Sequence, residues 1–170
     1  MPRRRASPDP AQEGAGVLFT VEQPSLFWPA YQIVREERLL GRVTRVGWRR
    51  FAYEDSEAKL KGRFERGRLA FADAAGRAWL EARAAGVDGL WPLDGLHLAR
   101  PDPPDRPHAR LLAKPDPDAA AVAVFGAMRG TGLAGAQDVW VAEALAEDER
   151  RATRLLALAT AVLRYRPARF

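Results

Sequence analysis

The sequence predicts a mainly β protein with one C-terminal helix (α+β), an antiparallel meander packed around that helix. Three observations carry this. Between Tyr31 and Arg83 the chain alternates short β-favouring runs with tight turns. Within AKLKGRF, residues 58–64, Lys59, Lys61 and Arg63 fall on one face of a strand while Ala58, Leu60, Gly62 and Phe64 fall on the other. Such a sheet is wet on one side and packed on the other. Finally, from Leu155 to Leu163 only Thr160 is polar. A membrane span needs about 20 apolar residues, so this run is too short to cross a bilayer. A helix that is apolar all round is buried all round.

The elements follow in order. Residues 1–16 contain Pro, Gly, Ala and charge, with no large apolar side chain after Met1. They cannot bury enough surface to offset their ordering entropy, so a flexible tail is expected, with a single domain over 17–170. VLFTV (17–21) is a short strand closed by Pro24. YQIV leads through Glu36-Glu37-Arg38 into LLGRVTRV as a hairpin, and RRFAYE and AKLKGRF follow. Turns at Arg66-Gly67 and Asp73–Gly76 deliver RLAFAD and RAWLEAR, each using a glycine where positive φ is needed. One further strand or turn is expected around Leu90-Trp91. The stretch 101–118 carries six prolines and reads as a long surface loop, with one strand at Arg110–Ala113. AVAVFGAM, a glycine turn at RGTGLAG and DVWVAEA complete the strands. The tryptophans at 28, 48, 79, 91 and 140 read as core, because their neighbours alternate as in strands.

EDERRATRLLALATAVLRYRP is the helix. Glu147, Asp148 and Glu149 suit the positive end of its dipole, Arg164 and Arg166 the negative end, and Pro167 the stop. Leu155, Leu156, Leu158, Ala159, Val162 and Leu163 are its expected core side chains. A one-sided sheet can curl about such a helix, and closing it removes exposed edges.

Composition narrows the chemistry. Lys plus Arg number 27 against 22 Asp plus Glu, giving +5 and a pI near 10.2, which favours acidic partners. It equally suits a soluble protein rich in Arg and Ala. There is no cysteine, which removes thiol catalysis, disulfides and cysteine metal sites. The two histidines, His97 and His108, lie in turn-rich sequence, and no metal or cofactor is expected from them. Ser7, Ser25 and Ser56 are the only serines and none sits in a nucleophile elbow, so no catalytic residue is assigned. Glu54, Asp55 and Glu57 read as a solvated turn. RGTGLAG leads into a strand instead of a helix N-terminus, so it reads as a hairpin loop and not a phosphate cradle. The leader-like MPRRR is followed by SPDPAQEGAG where a signal peptide needs apolar residues, and the expectation is a cytoplasmic protein, or one peripheral to a membrane.

Val21-Glu22-Gln23, Tyr31-Gln32-Ile33-Val34 and Leu40-Gly41-Arg42-Val43 resemble the opening strands of bacterial LURP-one-like proteins, relatives of the tubby C-terminal domain and the phospholipid scramblases. Ala152–Leu163 stands where that superfamily places an apolar helix threaded through a β-barrel. The resemblance implies a tubby-like barrel and a non-enzymatic binding or scaffold role. The scramblases' acidic calcium-binding segment and acylated cysteines have no counterpart here.

The residues that could carry binding are basic. Arg45, Arg49 and Arg50 lie in and after one strand, and Lys59, Lys61 and Arg63 stripe the next; Trp48 and Phe51 lie among them. Cations with aromatics suit the headgroup region of an anionic phospholipid surface. A solvated face balanced by Glu54, Asp55, Glu57 and Glu65 would carry the same pattern. The rival expectations are a small-molecule or lipid carrier or enzyme with a cavity between sheet and helix and, third, a nucleic-acid binder, for which no recognition motif is present.

Overall fold

The computed structural model describes residues 16–25, 27–102, 108–131 and 134–165. The expected tail over 1–16 falls, but for Gly16, outside the described residues, as does the centre of the proline-rich loop.

Twelve strands follow one another: β1 (Gly16–Gln23), β2 (Ala30–Arg35), β3 (Arg38–Gly47), β4 (Arg50–Asp55), β5 (Lys59–Glu65), β6 (Arg68–Ala72), β7 (Ala78–Arg83), β8 (Trp91–Leu93), β9 (Leu96–Ala99), β10 (Ala109–Leu112), β11 (Ala121–Thr131) and β12 (Ala134–Ala142). A helical turn, α1 (Glu143–Ala146), and the helix α2 (Glu149–Tyr165) end the order. Each strand pairs antiparallel with the next, and β1 closes the ring on β12 from Gly16↔Ala142 to Gln23↔Gly135. The result is a closed twelve-stranded barrel.

Alternation of inward and outward side chains makes this possible, interrupted where the ladders shift register and in β10, where all four residues are buried. β5 reads exposed, buried, exposed without a break, as its sequence predicts. The inward row includes Phe19, Ile33, Tyr53, Leu60, Phe71, Leu98, Leu111 and Phe125, all 2% exposed or less. Down the axis runs α2. Ala152, Leu155, Leu156, Ala157, Leu158, Ala159, Ala161 and Val162 are all fully buried, and Leu163 packs half-buried against the same core. Small side chains let the strands approach. A Cβ on Gly41 would lie 2.8 Å from the Tyr53 hydroxyl and 2.9 Å from Thr153 Cγ2 on the helix.

Three expectations change. Around Leu90-Trp91 there are two strands, β8 and β9, joined by an Asp94-Gly95 turn with φ of +47° and +83°, the dipeptide most favoured in two-residue hairpins. DVWVAEA remains a strand only to Ala142, after which the chain makes the α1 turn. Of the five tryptophans only Trp91, at 3% exposure, is buried core. Trp28 and Trp48 stand in turns, where no facing layer exists to cover them. Trp140 takes an outward strand position beside the inward Val139, and Trp79, the extra residue where the β6–β7 register shifts, lies at a rim of the barrel with its ring 5.1 Å from the Arg154 guanidinium. Alternation had marked strands correctly without telling which phase faced in.

Candidate functional site

The connections alternate between two ends of the barrel. The β2–β3, β4–β5 and β6–β7 turns lie at the end where α2 enters. The β1–β2, β3–β4, β5–β6 and β7–β8 connections lie at the opposite end, called here the far end.

At the entry end a polar clamp holds the helix. Asp148 caps it, its carboxylate accepting the Arg151 N–H at 3.1 Å. Glu149 accepts hydrogen bonds from Arg35 at 2.9 Å and Arg38 at 3.1 Å. Deeper, Arg154 Nε donates to Asp55 Oδ2 at 2.8 Å, and the Tyr53 hydroxyl donates to the same oxygen at 2.9 Å. Asp55 Oδ1 accepts the N–H groups of Glu57 and Ala58. Burial pulls the Asp55 carboxyl up, but the hydrogen bonds from Arg154, the Glu57 N–H, Tyr53 and the Ala58 N–H outweigh it and hold the group below the usual carboxylate range. Burial and then the Asp55 contact push the Tyr53 phenol well above its ordinary value. The turn reading of Glu54, Asp55 and Glu57 is thereby corrected for Asp55, whose side chain is 3% exposed. The missed signal was Arg154, a cation at the head of an otherwise apolar run, which demanded a buried carboxylate. Bonded to one another, Asp55, Tyr53 and Arg154 fasten the helix to the β4–β5 turn, with Arg154 Nη2 3.8 Å from Glu57 Oε2.

The outer face of β3–β7 is where the sequence-predicted cations gather. Register places Arg42, Glu54 and Lys59 in one row, Ala52, Lys61 and Ala72 in the next, Arg50, Arg63, Ala70 and Glu81 in a third, and Glu65, Arg68 and Arg83 in a fourth. The last two rows adjoin the far end. Arg50, Lys61, Arg63, Arg66, Arg68 and Arg83 line a surface groove of about 810 Å³, whose floor includes Gly62, Ala70 and Ala72 and whose lining has one carboxylate, Glu65. Arg68 and Arg83 share Glu81 at 2.7 and 2.6 Å. Among the described residues, Arg50, Lys61, Arg63 and Arg66 have no carboxylate within ion-pair distance.

The six predicted residues are thus sorted. Arg50, Lys61 and Arg63 come together in the groove. Lys59 lies toward the entry end, 3.9 Å from Glu54. Arg45 bonds the Gly47 carbonyl at 3.3 Å, and Arg49 stacks 4.2 Å over the Trp48 ring; both sit at the far end beside the groove. Phe51 does not join them: it is buried and meets the Phe64 ring edge-on at 5.0 Å. Arg66, Arg68 and Arg83 were missed, because only closure of the β5–β6–β7 register brings them to the same place.

Geometrically the face is a cationic trough with small-residue flooring, able to hold phosphate or carboxylate groups by charge and guanidinium hydrogen bonds. Among the described residues no cluster of three His, Asp or Glu suits a metal ion, and no helix is long and apolar enough to cross a membrane. Compared with known proteins, the chain matches no family model, no curated protein and no solved structure.

Proposed function

We propose that this protein is a non-enzymatic binding protein that attaches to anionic phospholipid surfaces through the β4–β6 basic face, as a peripheral cytoplasmic protein of LURP-one/tubby-like type. The observation that carries the reading is the cluster of Arg50, Lys61, Arg63 and Arg66 around the groove, which among the described residues have no carboxylate within ion-pair distance. A carboxylate-neutralised face has no net attraction for a membrane, whereas each free Lys or Arg near an anionic surface contributes about 1 kcal/mol. The closed barrel threaded by its apolar helix supports the superfamily resemblance. It also favours a surface role over a carrier, because helix side chains occupy the axis where cargo would have to sit.

Co-sedimentation with phosphatidylcholine vesicles, with and without phosphatidylserine, tests this. Binding should need the anionic lipid and weaken with salt. Each charge reversal among Lys61 and Arg63 should reduce affinity by about fivefold or more, the equivalent of roughly 1 kcal/mol per lost cation. Equal binding to neutral and anionic vesicles, or none to either, removes the reading.

A further inference from the structure

The far end of the barrel carries apolar side chains that stand exposed among the described residues. Phe27 is 80% exposed, Trp28 63%, Val46 62% and Trp48 70%. Phe27 and Trp28 belong to the β1–β2 connection, Val46 and Trp48 to the end of β3 and its turn. The two segments are neighbours, since the Arg45 N–H donates to the Pro29 carbonyl at 2.9 Å and Ala30 pairs with Thr44. One patch results, and its position is continuous with the cations. The Phe64 N–H donates to the Arg49 carbonyl at 2.8 Å, and Arg50 pairs with Arg63 directly beyond the turn.

Exposed aromatics at a strand end, bordered by arginines of which Arg49 stacks on Trp48 itself, are costly in water and match one environment closely. Indole and phenyl rings favour the boundary between headgroups and acyl chains, while guanidinium groups favour the headgroup layer just above it. Protein interfaces are also enriched in Trp and Arg, but a closed barrel offers no free strand edge for sheet extension, and a second copy of the chain would bring like charges together at the bordering arginines.

We infer that the protein seats end-on in an anionic bilayer, with Phe27, Trp28, Val46 and Trp48 entering the headgroup–acyl boundary and Arg49, Arg50, Arg63 and Arg66 at headgroup level. The inference rests on the membrane reading above and adds to it a depth and an orientation. Charge brings the protein to the surface, and the aromatic rim then holds it there when salt screens the charge.

The test uses the full chain and vesicles of phosphatidylcholine and phosphatidylserine, some with brominated acyl chains that quench tryptophan on contact. Binding of the wild type should blue-shift and quench its fluorescence. The double variant Trp28→Phe, Trp48→Phe should bind within about twofold of the wild type yet lose the bromine quenching. The double variant Trp28→Ser, Trp48→Ser, with unchanged melting because both sites are solvent-facing, should bind about tenfold more weakly or worse at physiological salt. Wild-type binding that is unquenched and insensitive to the serine substitutions overturns end-on insertion while leaving electrostatic attachment standing. Absence of binding to anionic vesicles overturns both. A dimer in sedimentation that the serine variant dissociates, with vesicle binding untouched, assigns the patch to a second copy and overturns the inference as well.

Discussion

At the scale of single residues, Asp55 decides most. Its carboxylate receives Arg154, Tyr53 and two backbone N–H groups, and so joins the helix to the β4–β5 turn. Removing one partner of a buried ion pair leaves the other charge desolvated, at a cost of about 3–5 kcal/mol. Asp55→Asn should therefore destabilise the protein by about that amount in urea unfolding at neutral pH. The pH dependence has a definite sign. The folded carboxyl lies below its ordinary value, which is about 3.9 in the unfolded chain. The contribution of Asp55 is accordingly complete above that value and drains away as pH falls through the folded pKa. The wild type should lose more stability than Asp55→Asn between neutral and strongly acidic pH; equal losses would exclude Asp55 as a source of the acid sensitivity. In sequence Asp55 was indistinguishable from Glu54 and Glu57, since three acids in a turn look alike until a helix from elsewhere in the chain presents an arginine to one of them.

At the scale of elements, α2 is the clearest case of legibility. Its apolar run was readable, because it is a local property of consecutive residues. Of the three expected acids only Glu149 lies in its first turn, Asp148 capping it and Glu147 closing α1, and the expected Arg166 and Pro167 lie outside the described residues. Leu158 is fully buried among the strands. Leu158→Ala should cost about 2–5 kcal/mol in urea unfolding. Leu158→Asp should leave no folded population, since an unpaired charge there adds several kcal/mol more; a melting transition close to wild type would show that the helix is dispensable to the core. The strands were legible for the same local reason, except β8 and β9. There Pro92 and a three-residue length obscured the period-two signal, and the Asp94-Gly95 turn was the stronger cue. The groove was legible only in part. Lys61 and Arg63 could be placed on a common outward face from alternation alone, but Arg66, Arg68 and Arg83 join them through pairings between separate strands. The aromatic rim was misread, as Trp28 and Trp48 follow strand-like text yet fall in turns.

At the scale of the whole molecule, helix and barrel form one core that neither part can supply alone. The helix is too apolar to stand in water, and without it the strands would enclose an empty axis. Hydrogen exchange should therefore show the amides of Leu155–Val162 and those of the β3 and β4 ladder opening with one common free energy, the global one. Helix amides that exchange well before the strands would show that the helix leaves its barrel in a separate step. Closure has the same all-or-none character, because β1 must wait for β12 from the other end of the described chain. That order has a consequence for synthesis. The ribosome releases the chain from its N-terminus at about 5–20 residues per second, so all twelve strands emerge before α2. Throughout that interval the inner wall has nothing to lie against, and this barrel can be completed only once its final helix is free of the exit tunnel. During its manufacture, then, the surface that the helix will later cover is the one the growing chain leaves open to other contacts.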